Sequence, residues 1–448
     1  MALAVWVPIQ ITRGIGAAAH VKSGRILTIV FLHVILVACA PSQTVLTLEQ
    51  SLRLARENSP ALRAADYAIR ALDLSRSELS TTALPQLKGV AGASYAPVPP
   101  QFGYDPIISN GGQIAGQILL QQSLYDGGVR SLKFDQLSVD ADRLIRERRR
   151  AERDLVFAVK QSFIESLRAQ RERELHQQSV AQLTAYLDLV QRLFKSGSAG
   201  YTDVLKTEIQ LSRAGVALQK AGESLQSSRY SLAELIGTAI DSSVTIAGSL
   251  ESLSEAQTDT LSIDPPPSID LTIARLGIER SLLEVEVVSR ERWPEISLFG
   301  DAGYLSSLEN LRFPSPERVK ALGFSFGIGI EMPIFTWGAT DLRIQQRQAE
   351  SDALRQQMEL LRRSITTEVK KTRLELANAR GRLKALRTNV AKAEENFLLT
   401  RSTFAGGETL SLEVLVAQQL LTETRLAELE TLAAIQLLTT KLEQLSTQ

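Results

Sequence analysis

Leu322-Gly323-Phe324-Ser325-Phe326-Gly327-Ile328-Gly329-Ile330-Glu331-Met332-Pro333-Ile334 alternates along its whole length. Leu322, Phe324, Phe326, Ile328, Ile330, Met332 and Ile334 fall on one side. Gly323, Ser325, Gly327, Gly329 and Glu331 fall on the other. A period of two marks a β-strand, whose side chains point to opposite faces in turn. A mate lies upstream over 295–305, with Ile296, Leu298, Gly300, Ala302 and Tyr304 against Glu295, Ser297, Phe299, Asp301 and Gly303. Strands of about ten residues, apolar outside and polar or glycine inside, fit the wall of a transmembrane barrel. A half-buried soluble sheet shows the same alternation, so the reading depends on what surrounds these strands.

Moving outward, the pattern occurs twice. The chain aligns with itself at one offset of about 210 residues, as an internal repeat does. Leu84-Pro85-Gln86-Leu87 pairs with Trp293-Pro294-Glu295-Ile296, and Tyr95 with Tyr304. Leu124-Tyr125-Asp126-Gly127-Gly128 pairs with Ile334-Phe335-Thr336-Trp337-Gly338. Phe194-Lys195-Ser196-Gly197 pairs with Phe404-Ala405-Gly406-Gly407, and Asp203-Val204-Leu205 with Glu413-Val414-Leu415. The first copy therefore has its own strands, a weaker one over 87–95 and one over 113–124 where Ile114, Gly116, Ile118 and Leu120 alternate with Gln113, Gln117 and Gln121. Asp264-Pro265-Pro266-Pro267 reads as the linker. The repeats are 39–264 and 265–448.

Each copy opens with helix. The first starts near Leu46, with Ser59-Pro60 capping a segment that runs to Leu84; the second runs from Ser268 to Trp293. Pro85 and Pro294 stop them, because proline lacks a donor and clashes with the preceding turn. Long helix pairs close each copy, over 129–196 and 202–236, then 339–404 and 412–446. Val204, Thr207, Leu211, Ala214, Leu218, Ala221, Leu225, Ser228, Leu232 and Leu235 keep a three–four spacing, as do Leu383, Leu386, Val390, Ala393 and Phe397. That is the seam of coiled-coil packing. A helix of about 65 residues rises roughly 100 Å, a length suited to crossing a compartment.

Composition excludes several classes. Lys and Arg number 50 and Asp and Glu 50, so the basic excess of a nucleic-acid binder is absent. Aromatics are 5%, low for a packed enzyme. His20 and His33 precede the one cysteine, leaving His176 on a predicted helix among Arg173, Glu174 and Gln177. No phosphate loop and no nucleophile–base pair is present, so no enzyme, cofactor or metal is expected. The basic run Arg143 to Arg150 reads as a solvated helix face.

The lone Cys39 follows a basic stretch, Arg13, Lys22 and Arg25, and an apolar run from Ile26 to Val37. About 12 apolar residues are too few to span a bilayer as a helix. Leu36-Val37-Ala38-Cys39 resembles a lipoprotein signal with its lipobox. The resemblance implies removal of 1–38, lipidation of Cys39, and sorting to the outer membrane because Ala40 rather than Asp follows.

One chain supplies four strands, and membrane barrels start at about eight. Other copies must complete the wall, and three copies give twelve strands. The corner Leu124-Tyr125-Asp126-Gly127-Gly128 and the two helical turns, Gly197 to Asp203-Val204 and Gly407 to Glu413-Val414, resemble the TolC-like outer-membrane efflux family, lipoprotein branch. The likeness covers nearly the whole chain after Cys39. It implies a mainly α chain with a transmembrane β part: a homotrimeric 12-strand barrel in outer-membrane lipid, a long coiled-coil tunnel through the periplasm, and an equatorial belt holding 237–260 and the C-terminal end. It implies partners too: a periplasmic adaptor and an inner-membrane pump. Small-molecule efflux is favoured, with type I protein secretion or a periplasmic coiled-coil scaffold as alternatives.

By position the resemblance places Asp203 and Glu413 as a carboxylate ring at the pore entrance. It places Gly197, Val204, Leu205, Gly407, Val414 and Leu415 at the adaptor-docking tip. The two tips differ, so two kinds of adaptor groove would alternate around the entrance. The family's polar gate is altered here. Phe404 stands where a Tyr can hydrogen-bond an acid, Thr409 stands for an Arg, and Val416 replaces a second acid. A looser, more apolar closure is expected.

Overall fold

The computed structural model describes residues 45–96, 111–239, 245–251, 268–307 and 320–446. The leader, Cys39, the Asp264–Pro267 linker and 240–244 and 252–260 of the expected belt lie outside them. Leu46–Asp241 and Ile246–Gln448 form one compact unit; the other holds only Val45 and Thr245 among described residues.

The elements run β1 (Val45–Leu46), α1 (Leu48–Asn58), α2 (Pro60–Thr81), β2 (Gln86–Ala96), β3 (Gly111–Asp126), α3 (Val129–Lys195) and α4 (Tyr201–Ile236). The second repeat follows: β4 (Thr245–Ile246), α5 (Ile269–Arg290), β5 (Glu295–Ser307), β6 (Lys320–Glu331), α6 (Ala339–Ala405) and α7 (Ser411–Ser446). Helix starts are set by capping side chains, which satisfy amides the first turn leaves free. Thr47 Oγ1 accepts from Gln50 N at 3.3 Å while Gln50 Oε1 accepts from Thr47 N at 3.0 Å. Ser59 accepts from Leu62 N ahead of Pro60, and Ser268 from Asp270 N.

Three element ends differ from the sequence reading. Helix α2 stops at Thr81, not Leu84, and α5 at Arg290, not Trp293. Ala83 and Leu84 instead donate to Ser80 and Thr81, three residues back, because the residue before proline is pushed out of the α region. Strand β6 stops at Glu331, short of Ile334. Pro333 has no amide for the ladder.

The sheet runs β2-β3-β5-β6, every neighbour antiparallel. Its register gathers the alternating residues into two faces. Leu120, Gly300 and Phe326 share one row, as do Ile118, Ala302 and Phe324. The opposite face takes Gln121, Phe299 and Gly327, then Leu119, Asp301 and Ser325. Leu322, Phe324, Phe326, Ile328 and Ile330 are all exposed.

Both long helices have 67 residues, and each folds back on a 36-residue helix. The expected α4 seam is the observed one, buried at Val204, Thr207, Ala221, Leu225, Ser228 and Leu232, with Ile236 rather than Leu235 at its end. Helix α3 is the hub, packing on α1, α2, α4, α5 and α7, whereas α6 packs on α5 and α7. The basic run on α3 stays partly exposed, and two of its residues also pair across helices. Arg148 pairs with Asp66 of α2 at 2.6 Å and Arg150 with Asp270 of α5 at 3.4 Å. Arg153, just beyond, reaches Asp270 at 2.7 Å. Below, Asn58 Nδ2 donates to Ile236 O at 2.8 Å, closing the C-terminus of α4, and Gln436 Nε2 donates to Leu250 O at 2.6 Å. These contacts are the described part of the belt. No described helix is long and apolar enough to cross a membrane.

Candidate functional site

The helical turns are built alike. Gly197 N donates to Phe194 O at 3.0 Å and Gly407 N to Phe404 O at 3.0 Å. Gly197 and Gly407 then hold φ of 79° and 80°, the left-handed region that lets the chain reverse between antiparallel helices. Asp203 Oδ2 accepts from Gly200 N at 3.2 Å, so this carboxylate caps the start of α4. Glu413 is exposed and accepts from Thr409 Oγ1 instead.

Beneath the turns lies an apolar cluster of Leu183, Tyr186, Val190, Val204, Phe404, Val414, Leu415 and Leu421. This corrects part of the expected docking set. Val204, Val414 and Leu415 point into the protomer's core, because the inward positions of α4 and α7 meet α3 there. Gly197, Leu205 and Gly407 are exposed, as docking residues must be. Phe404 is also not on an entrance surface. Its ring lies 5.5 Å from that of Tyr186, centroid to centroid. Tyr186 OH donates to Ser411 Oγ at 2.9 Å, giving a buried hydroxyl its partner. Burial pushes the Tyr186 phenol up to about 12, the Asp203 charge adds to the rise, and the Ser411 bond opposes it.

Asp203, Glu413 and Thr409 stay near the surface, so they alone of the expected entrance residues can face a pore. The sequence reading assigns no role to four exposed apolar residues beside the turns: Phe194, Tyr201, Leu410 and Leu412. Leu410 and Leu412 flank the buried Ser411, so a polar residue inside and leucines outside was the available signal.

On the sheet, the inner face carries Gln117, Gln121, Ser297, Asp301, Ser325 and Glu331 by register. Ser325 Oγ donates to Asp301 Oδ1. Phe299 shares that face and fills the space over Gly327, where an added Cβ would come within 2.8 Å of Phe299 Cζ.

A four-stranded sheet with a lipid-type apolar face and a polar inner face, continued by paired helices far longer than a compact domain requires, defines the protomer of an outer-membrane export channel with a periplasmic tunnel. The chain belongs to the outer membrane efflux protein family, whose model matches residues 51–238 and 268–447, one match per repeat. It is 25% identical over 288 residues to the proteases secretion protein PrtF of Dickeya chrysanthemi, covering 62% of this chain and 60% of that one. It is 24% identical over 374 residues to outer membrane protein TolC of Vibrio cholerae, covering 81% and 82%. In structure it resembles CusC, with a TM-score of 0.72 at 16% identity over 90% of this chain and 92% of that one. It also resembles VceC of Vibrio cholerae, with 0.69 at 17% over 89% and 96%.

Proposed function

We propose that three copies close into one channel, a twelve-strand barrel continued by a helical tunnel, which passes small molecules from an inner-membrane pump and a periplasmic adaptor to the outside. The observation that carries this is the open sheet. Strands β2 and β6 are each paired on one side only, and an unpaired edge in lipid costs several kcal/mol per backbone group. The helices agree. Leu132 and Ile164 of α3 are 9% and 3% exposed, while Leu342 and Leu374, their equivalents on α6, are 65% and 63% exposed. Tyr67 and Leu74 of α2 are bare, while their equivalents Leu276 and Leu283 are half-buried on α5, which packs on both α3 and α6. At these positions the residue bared in one repeat is covered in the other, so a second copy is the natural cover. Light scattering of the detergent-solubilised protein should give three chain masses, and planar bilayers should show stable conductance. A conductance-silent monomer would end the reading.

Asp203 and Glu413 with Thr409 then ring the tunnel entrance, and Gly197, Leu205 and Gly407, together with Phe194 and Leu410, form the adaptor surface. Cys39 carries the lipid anchor; radiolabelled palmitate should enter the parent and not Cys39→Ala. Protein secretion is the second reading, favoured by the alignment with a proteases secretion protein. The pump that co-purifies separates the two.

A further inference from the structure

The two strand-to-helix corners are equivalent in backbone and opposite in bulk. Gly127 and Gly128 hold φ of 67° and 85°, and Trp337 and Gly338 hold 52° and 78°. Trp337 is the one non-glycine residue with positive φ among the described residues. That conformation costs a side-chain-bearing residue about 1 kcal/mol, so a tryptophan there needs a compensating contact. Within the chain it has little beyond Phe335, whose ring lies 4.6 Å away; Trp337 is 86% exposed.

The first corner indicates what such a position meets. A Cβ on Gly127 would lie 2.8 Å from Trp293 Cβ and 3.2 Å from Arg290 O. The glycine is therefore the socket for the end of α5, where Trp293 sits with the Arg290 guanidinium 5.6 Å from its ring centre. Trp293 is the repeat equivalent of Leu84, which is exposed at the end of α2. Carried to the second corner, the same geometry aims the Cβ bond of Trp337 at Leu84 of another copy.

We propose that Trp337 is the knob of the between-chain seam and seats on Leu84 of the next copy, with Phe335 stacked behind it. The inference rests on the homotrimer reading and goes beyond it by naming the contact. Bulk has changed sides: glycine receives tryptophan inside the chain, and tryptophan covers leucine between chains. Both residues of the second pair carry a Cβ, so the between-chain seam is wider at this level. The two seams are then chemically distinct, and the socket at Gly127, already filled by Trp293, cannot accept another chain. An aromatic at a barrel rim also suits the lipid headgroup zone; the direction of the Cβ bond and the left-handed backbone favour the protein partner.

The test is Leu84→Cys with Trp337→Cys in the full chain, reconstituted in phosphatidylcholine vesicles and oxidised with copper phenanthroline. Covalent two- and three-chain bands on a non-reducing gel are expected, with neither single variant, each still carrying Cys39, giving them. In parallel, the emission lost in Trp337→Phe should be emission that brominated phosphatidylcholine does not quench. A double variant that is trimeric by light scattering and does not cross-link overturns the contact, and quenching of the Trp337 component overturns it in favour of lipid. A chain that is not trimeric before oxidation overturns the trimer reading itself.

Discussion

Phe194 and Phe404 occupy the same place in their hairpins, three residues before the left-handed glycine, yet Phe194 is exposed beside Tyr201 and Phe404 is buried against Tyr186. Leu205 and Leu415 repeat the contrast, the first exposed and the second buried. The turns are not the cause, because their hydrogen bonds match. The cause is the number of partners. Helix α7 lies against both α6 and α3 along its length, whereas α4 has α3 and only slight contact with α1 and α7. The second hairpin is therefore interior to the chain, and the first is its edge. Two copies of one sequence pattern acquire different burial from their neighbours, not from their own residues.

The contrast predicts unequal costs of truncation. Phe404→Ala should lose about 3–5 kcal/mol of stability, as large-to-small changes in a core do. Phe194→Ala, which leaves little cavity in the protomer, should lose about 1 kcal/mol or less. Denaturant unfolding of the two variants measures the difference. Equal losses would mean that Phe194 is buried as deeply as Phe404 in the working assembly, and the edge would have to be redrawn.

Next in size is the seam that the edge exposes. Leu374→Glu places a charge on the bare face of α6 and should reduce the trimer fraction at least tenfold, about 1.4 kcal/mol at 25 °C, with helical circular dichroism retained. Ile164→Glu, at the equivalent buried position of α3, should instead prevent folding, because an unpaired charge in a core is among the costliest changes. If both variants fold and trimerise alike, the repeats are not distinguished by their neighbours.

Much of this architecture was legible in the sequence. The strand of Leu322 to Ile330 announced itself because both of its faces obey one rule, and the helical turns did so because glycine appears at the same place twice. Neighbours were not legible. Val414 and Leu415 look like surface residues when judged from their distance to a turn, and they are core because α3 lies behind them; Val204 carries both readings, seam and docking tip, and only the seam holds. The Arg143–Arg150 run looks solvated from its composition, and two of its guanidiniums, Arg148 and Arg150, also pair with acids on α2 and α5. Pro333 did warn that β6 ends early; strong alternation on either side masked it. Sequence periodicity specifies which side of an element is apolar. Which other element covers that side is a property of the assembled chain.

A smaller effect sharpens the tip. Tyr186 and its repeat equivalent Asn396 differ in that only Tyr186 enters the buried cluster. Tyr186→Phe removes its hydrogen bond to Ser411 and should cost about 1 kcal/mol. The phenol is raised in the folded state, so the folded form favours the neutral hydroxyl. That contribution is fully present below about pH 10, the ordinary tyrosine value, and is lost as pH rises through about 12. An alkaline stability profile should decline over that window in the parent and lack this component in Tyr186→Phe. An unchanged profile would place the decline on other groups.

The smallest expected effect concerns the entrance. Asp203 and Glu413 carry the same charge in the two tips and do different structural work, since Asp203 caps the Gly200 amide and Glu413 bonds a side-chain hydroxyl. Asp203→Asn and Glu413→Gln each remove three of the six charges of a trimeric ring. Crowded carboxylates at a constriction favour cations, and screening at about 0.15 M salt limits the reach of any one charge to about 8 Å. Each single variant should therefore lower the cation-to-anion permeability ratio in planar bilayers by less than about twofold, and the double variant by more than either. Thermal stability separates the two roles: Asp203→Ala should lose up to about 1 kcal/mol as a lost helix cap, and Glu413→Ala only a few tenths, as an exposed side-chain contact does. If the double variant leaves the permeability ratio unchanged while Asp203→Ala still destabilises the chain, these carboxylates are helix caps and surface acids, and the selectivity of the channel resides elsewhere along the tunnel.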